Sequence, residues 1–348
     1  MKFNQNYSSR FRILSKGRVV LAISILTANL LYASPAANAL PTNPVIKSGN
    51  IGISSSAPNN LTINQTTNKG IINWNTFNVG SAASVRFNQP NVNSSTLNRV
   101  VGSELSQIAG TLSANGQVIL INPNGVIFNK GSRVDVGGIV ASTLNMSDEN
   151  YLNDNYVFSR DGATGKVLNY GEITAQDKGF VALLAPEVIN EGVVIARWGS
   201  VVFAAGENVT LDFGGDGLLQ VEVDASTIDT LIENKNLVIA DSGIVYMSTK
   251  AASQLQNSSI SNSGTIQANS IQEIGGKIIL TADNITLEST SVIEAKGAKG
   301  GGEVLVGGDW QGSNDVYQAT TVTMESGATI DASATQNGDG GKIVLWSD

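Results

Sequence analysis

The chain has 348 residues and a formal charge of −8, with no cysteine and no histidine. The two zeros exclude a disulfide, a thiol nucleophile, iron–sulfur ligation, a Ser-His-Asp triad, an HExxH zinc site and a proximal His for haem. With 41% hydrophobic and only 14% charged residues, the chain is too apolar for disorder and can bury a sizeable core.

The N-terminus reads as a signal peptide. Lys2, Arg10, Arg12, Lys16 and Arg18 form a basic region without acidic residues, and a 13-residue apolar stretch follows from Val19 to Leu31. Spanning a bilayer takes about 20 residues. Ala37-Asn38-Ala39 supplies a small-residue cleavage pattern, which places the cut between Ala39 and Leu40. A short membrane anchor is the competing reading. Removing residues 1–39 takes away five basic residues and no acidic one, leaving 16 Lys+Arg against 29 Asp+Glu, a net charge of −13. That sign is wrong for neutralising phosphates, so nucleic acid and anionic lipid are set aside as partners.

From Leu40 onward the pattern has period two. Leu61 and Ile63, Ile72 and Trp74, Phe77 and Val79, and Val85 and Phe87 alternate with polar neighbours. Asn, Ser, Thr and Gly fill the gaps, and Asn and Gly tolerate the backbone of sharp corners. Many short strands with frequent turns predict an all-β architecture.

The second half repeats a unit. One part reads Asn-x-Gly followed by an apolar residue and Ala, at Asn169-Tyr170-Gly171, Asn190-Glu191-Gly192 and Asn262-Ser263-Gly264, with a looser copy at Ser326-Gly327. The other part is a glycine followed by an apolar strand, at Gly179, Gly199, Gly276, Gly302 and Gly341. Gly179 to Gly199 is a step of 20 residues, a β-solenoid period. Each coil would be one rung, with alternate side chains pointing inward and corner asparagines stacking as a ladder. Roughly 14 rungs at about 4.8 Å would give a rod of about 65 Å.

Two stretches interrupt the repeat. Residues 145–162 are polar and read as a loop or hairpin off the coil, and residues 249–256 are the best helix candidate, with Thr249 as N-cap. The strands after Leu40 are the natural N-terminal cap. A strand-like KIVLW run stands just before Asp348 with no cap behind it, so the natural protein is expected to continue, or the chain to be a truncated relative.

The run from Asn98 to Leu144 carries a resemblance. Its landmarks are Asn98-Arg99-Val100, Ser106-Gln107-Ile108-x-Gly110, Asn115-Gly116-Gln117-Val118, Asn122-Pro123-Asn124-Gly125 and Ala141-Ser142-Thr143-Leu144. Ile71-Ile72-Asn73-Trp74-x-x-Phe77 and the long basic stretch before the apolar one belong to the same set. Together they resemble the N-terminal two-partner secretion, or haemagglutination-activity, domain of filamentous haemagglutinins. The family's Asn-Pro-Asn-Leu motif has no clean copy; Pro58-Asn59-Asn60-Leu61 is nearest. The resemblance implies a right-handed parallel β-helix (β-solenoid) with an N-terminal cap and short hairpin or helix excursions. The expected division is a signal peptide over 1–39, the secretion domain over 40–212 and the first repeats of a shaft over 213–348.

The function so implied is that of an exported adhesin scaffold, not an enzyme, on the surface of a Gram-negative-type bacterium or in its medium. Its partner would be an outer-membrane transporter with periplasmic domains and a β-barrel, met in the periplasm. Receptors would be host or cell-surface glycans or proteins. No cofactor, metal or catalytic residue is expected. Asn98, Arg99, Asn122, Pro123, Asn124 and Gly125 are the candidate secretion-motif residues, in turns that a transporter would recognise. Asn122–Gly125 also has a plain structural reading, a turn between the apolar runs VILI and VIF.

Competing chemistry is weaker. Gly214-Gly215-Asp216-Gly217 and Gly338-Asp339-Gly340-Gly341 are single copies of a calcium-repeat-like element, which needs tandem copies to share an ion. A carbohydrate-active β-helix enzyme would gather carboxylates on one face of neighbouring rungs. Asp212, Asp224, Asp229 and Asp241 do not follow a 20-residue step. The alternatives are that enzyme, or a short carbohydrate-binding module.

Overall fold

The computed structural model describes residues 34–213, 219–253, 255–313 and 316–348. The expected basic region and apolar stretch, and Gly214–Gly217, lie outside the described residues.

Inward-facing aliphatic residues on every rung drive the coiling. Strands stack in register into three long sheets. Sheet A has 11 strands and runs from Val45–Ser48 through Ser95–Val100, Gln117–Ile121, Gly138–Ser142, Phe180–Leu184 and Ser200–Ala205 to Lys342–Leu345. Sheet B also has 11, from Ile51–Ala57 through Glu172–Ala175 and Val193–Ile195 to Thr329–Asp331. Sheet C has eight, from Ser106–Ile108 through Val126–Phe128, Lys166–Asn169 and Glu187–Asn190 to Thr321–Met324. The chain visits A, then C, then B, and returns to A one rung higher. The fold is a right-handed parallel β-helix, as expected. Phe180 pairs with Ser200, so the 20-residue step is one rung. Wider steps carry inserted loops.

The N-terminal end is closed by antiparallel pairing. Val45–Ser48 runs antiparallel to Lys69–Trp74, and Ile51–Ala57 forms a hairpin with Asn60–Gln65. Reversed strands cover the first coil and leave no matching parallel edge.

Two ladders lock the corners. Between sheets C and B, Asn169 Nδ2 donates to Asn190 Oδ1, Asn190 to Asn234 and Asn234 to Asn262, each at 2.8 Å, and Asn262 ends the series on Ser291 Oγ at 2.6 Å. All five side chains are fully buried. Between sheets B and A, the glycines at 137, 179, 199, 243, 276, 302 and 341 stack. A Cβ at any of them would fall on the carbonyl oxygen of the glycine one rung below.

Sheet A departs from simple alternation. Phe180–Leu184 and Ser200–Ala205 are buried at every position. Their outward side chains lie under a three-stranded antiparallel sheet made from two excursions: Tyr156–Ser159 pairs with Asn208–Asp212, which pairs with Gln220–Val223. The boundary expected at residue 212 falls inside this flap. A second apolar cluster fills the space beneath, with Leu97, Ile119, Val140, Tyr151, Phe158 and Val202. The stretch 145–162 is thus a helix, Asp148–Leu152 with Ser147 as N-cap, followed by a strand.

One expectation is corrected. Residues 249–256 do not form a helix among the described residues. Thr249 ends the strand Ile244–Thr249, fully buried, with its hydroxyl 2.5 Å from that of Thr230. Rung stacking overrides the local helix propensity of the alanines that follow.

Candidate functional site

The candidate motif residues converge on the corner between sheets A and C. Asn98 and Arg99 lie in Ser95–Val100, in register with Leu120 and Ile121 on the next rung. Those two residues lead straight into Asn122.

Asn98 points into the core and is fully buried. Its Oδ1 accepts from Trp74 Nε1 at 3.0 Å, and its Nδ2 donates to Thr96 O at 3.1 Å. Trp74 itself is fully buried, edge-on to Phe77 at 5.6 Å. Arg99 points the other way and clamps the excursion. Its guanidinium donates to Asp148 Oδ1 at 2.7 Å, Met146 O at 2.6 Å and Asn145 Oδ1 at 3.2 Å. Lys69 holds the far end of the same helix, donating to Tyr151 O at 2.8 Å and Leu152 O at 3.0 Å and pairing with Asp154 at 2.7 Å. That hydrogen bond is the main cause holding the Asp154 carboxyl below its ordinary value. Burial pushes the Tyr151 phenol up to about 12.

Asn122 is fully buried and its side chain is engaged on both sides. Nδ2 donates to Glu104 O and Ser106 Oγ, both at 2.9 Å, and Oδ1 accepts from Asn124 N at 3.0 Å and Asn124 Nδ2 at 3.1 Å. Gly125 N closes the turn on Asn122 O at 3.0 Å. Gly125 has φ +127°, which only glycine adopts without strain. Pro123 and Asn124 are exposed at the tip, and Asn124 Nδ2 also reaches Gly102 O at 3.0 Å. Beside the tip, Val101 is 62% exposed. Ser106 and Glu104 are partners that residue-by-residue reading missed, although Ser106 belongs to the Ser-Gln-Ile landmark.

The expected cleavage pair lies against the first rung. Ala39 O accepts from Gly80 N at 2.9 Å, and Leu40 is half-buried against the core. The four aspartates weighed for an enzyme are dispersed: Asp212 ends a flap strand and Asp224 directly follows another, Asp229 sits near the A–C corner and Asp241 at the B–A corner.

Comparison with known proteins gives consistent matches. The TPS secretion domain family model matches residues 37–295. A heme/hemopexin-binding protein of Haemophilus influenzae (strain Rd) is 32% identical over 320 residues, covering 89% of this chain and 34% of that protein. A second protein so named, also from Haemophilus influenzae, is 30% identical over 335 residues, covering 89% and 35%. The crystal structure of the HMW1 secretion domain from Haemophilus influenzae matches with a TM-score of 0.72 and 30% identity over 84% of each chain. The chain spans about a third of the length of the curated relatives it matches.

Proposed function

This chain belongs to the TPS secretion domain family, and from that premise we propose that it directs export of a surface or secreted protein through a dedicated outer-membrane β-barrel transporter. Residues 1–39 bring the chain to the periplasm. The domain from Leu40 engages the transporter's periplasmic domains, and the chain crosses unfolded and coils outside. Residues 213–348 form the base of a shaft, and the downstream role proposed is that of an adhesin scaffold without catalysis. Its receptors would be cell-surface glycans or proteins.

The observation that carries this reading is the engagement of the motif side chains inside the fold. Asn98 and Asn122 are buried with their polar atoms satisfied. A partner can read them only before the rungs close. Afterwards the same groups hold the corner, and each new coil buries apolar surface against the last without an external energy source. The haem and hemopexin binding in the relatives' names belongs to much longer proteins. These 348 residues hold no histidine or cysteine, so neither a His nor a Cys axial ligand for haem iron can come from them.

The test is secretion in the native host with and without the candidate transporter, with N-terminal sequencing of the product. Mature protein starting at Leu40 in the medium, only when the transporter is present, is the expected result. Equal release without it, or retention in the periplasm of both strains, would remove the export mechanism.

A further inference from the structure

The segment around the Ala39–Leu40 bond is folded into the cap. Residues 36–39 form a turn in which Ala39 N donates to Ala36 O at 2.8 Å. Two bonds fix the turn to the 76–83 segment of the first rung, and a third fixes Thr42 just after it. Ala82 N donates to Ala37 O at 2.8 Å, Gly80 N to Ala39 O at 2.9 Å and Thr42 N to Thr76 O at 3.0 Å. Asn75 N returns a bond to Thr42 O at 3.0 Å, and the Thr42 and Thr76 hydroxyls lie 2.7 Å apart. Leu40 is half-buried on the core and Pro41 is buried. The backbone is therefore pinned on both sides of the bond.

We infer that this cap is a latch closing over the signal-peptide junction, so that processing at Ala39–Leu40 has to be complete before the first rung folds. The inference rests on the cut proposed above. Hydrolysis adds water across the C–N bond, leaving a carboxylate on Ala39 and an amine on Leu40. A peptidase must reach the Ala39 carbonyl and stabilise its oxygen as negative charge develops. In the folded chain that oxygen already accepts from Gly80, and the turn at 36–39 is not the open backbone that a protease cleft accepts. Cleavage of folded protein proceeds through local opening, and its rate falls with the open population. A folded precursor would resist the enzyme, while an unfolded one is cut and then folds from Leu40.

Gly80 separates the latch from the rest of the fold. The three atoms nearest to a Cβ at Gly80 all belong to Ala36 and Ala37, and they are too close to tolerate it. Gly80→Ala thus obstructs the latch but meets none of those atoms in a chain beginning at Leu40. Ala82→Pro removes the donor to Ala37 O by a different route.

The experiment uses the full precursor, folded in mild detergent, with a purified bacterial signal peptidase. The same precursor is also diluted from denaturant directly into the enzyme. The folded form should be cut at least about tenfold more slowly. Gly80→Ala and Ala82→Pro should each speed cleavage of the folded form several-fold, and Gly80→Ala should leave the melting temperature of the Leu40–Asp348 chain unchanged. Equal rates from folded and freshly diluted precursor, with a product starting at Leu40, would overturn the latch alone. So would a folded Gly80→Ala precursor as slow as the parent. A product starting elsewhere would instead overturn the cut.

Discussion

Asn122 and Asn124 sit two residues apart in one turn, yet their truncations should behave differently. Asn122→Ala removes four side-chain hydrogen bonds of 2.9–3.1 Å. Glu104 is exposed and its carbonyl can turn to water, but Ser106 Oγ is fully buried and loses its partner. Two effective bonds at about 1 kcal/mol each, plus about 1 kcal/mol for the stranded hydroxyl, give a loss of about 3 kcal/mol. At about 2 °C per kcal/mol for a domain this large, the melting temperature should fall by about 6 °C. Asn124→Ala loses two bonds at an exposed tip. Its cost should stay near 0.5 kcal/mol, about 1 °C. The assay is a thermal melt followed by far-ultraviolet circular dichroism on the mature chain, run beside secretion of both variants. A melt for Asn122→Ala within about 1 °C of the parent would refute the reasoning that its side chain holds the corner. Asn124→Ala isolates recognition, because a secretion loss there comes with almost no change in stability.

Three further outcomes follow from the packing. Asn190→Ala breaks the ladder in its middle and takes the ladder partner from Asn169 Nδ2 and Asn234 Oδ1, so it should cost about 3 kcal/mol in a denaturant titration, whereas Glu191→Ala at the exposed next position, which loses an ion pair with Lys235 at 3.4 Å, should cost under about 1 kcal/mol. Gly199→Ala places a methyl on Gly179 O between two rungs and should cost at least about 3 kcal/mol, read as loss of soluble folded protein or as exchange of the 196–205 amides. The third concerns acid. Burial alone would raise the Glu207 carboxyl, but bonds from Arg160 at 2.9 and 3.1 Å and from Thr227 outweigh it and hold the group below its ordinary 4.5. Its contribution is therefore complete above pH 4.5 and is lost as the pH falls through the lower folded value. Glu207→Gln should flatten that part of the stability–pH curve and leave the slope above pH 5 unchanged.

The sequence disclosed the rungs because their chemistry is local. Inward Val and Ile alternate, and Asn169, Asn190 and Asn262 each precede a glycine two residues on. Asn234 holds an equal place in the ladder but is followed by Lys235-Asn236, so the pattern hid it. The flap was hidden for another reason. Its strands, Tyr156–Ser159 and Asn208–Asp212, are distant in sequence and each is only four or five residues long. The available signal was on the other partner: VILI, FVALLA and VVFAA are continuous apolar runs, the mark of strands covered on both faces. The motif corner was legible as a turn, since Pro123 and Gly125 are turn residues, but the inward direction of Asn98 and the clamp made by Arg99 depend on rung register, which single-residue patterns do not carry.

The glycine column has a counterpart at the mouth of each loop. In the short corners, Gly199 N donates to Ala196 O at 3.2 Å and Gly243 N to Ala240 O at 2.8 Å. In the long ones the same bond recurs, Gly276 to Ala268 at 2.6 Å, Gly302 to Ala295 and Gly341 to Ala332 at 2.7 Å. The clasp is made whatever the length of chain between its two halves. This edge is therefore a display port, where one loop can be exchanged for another of different length and composition while the coil beneath keeps its register. Variation in what the rod presents to its surroundings can accumulate there without renegotiating the scaffold.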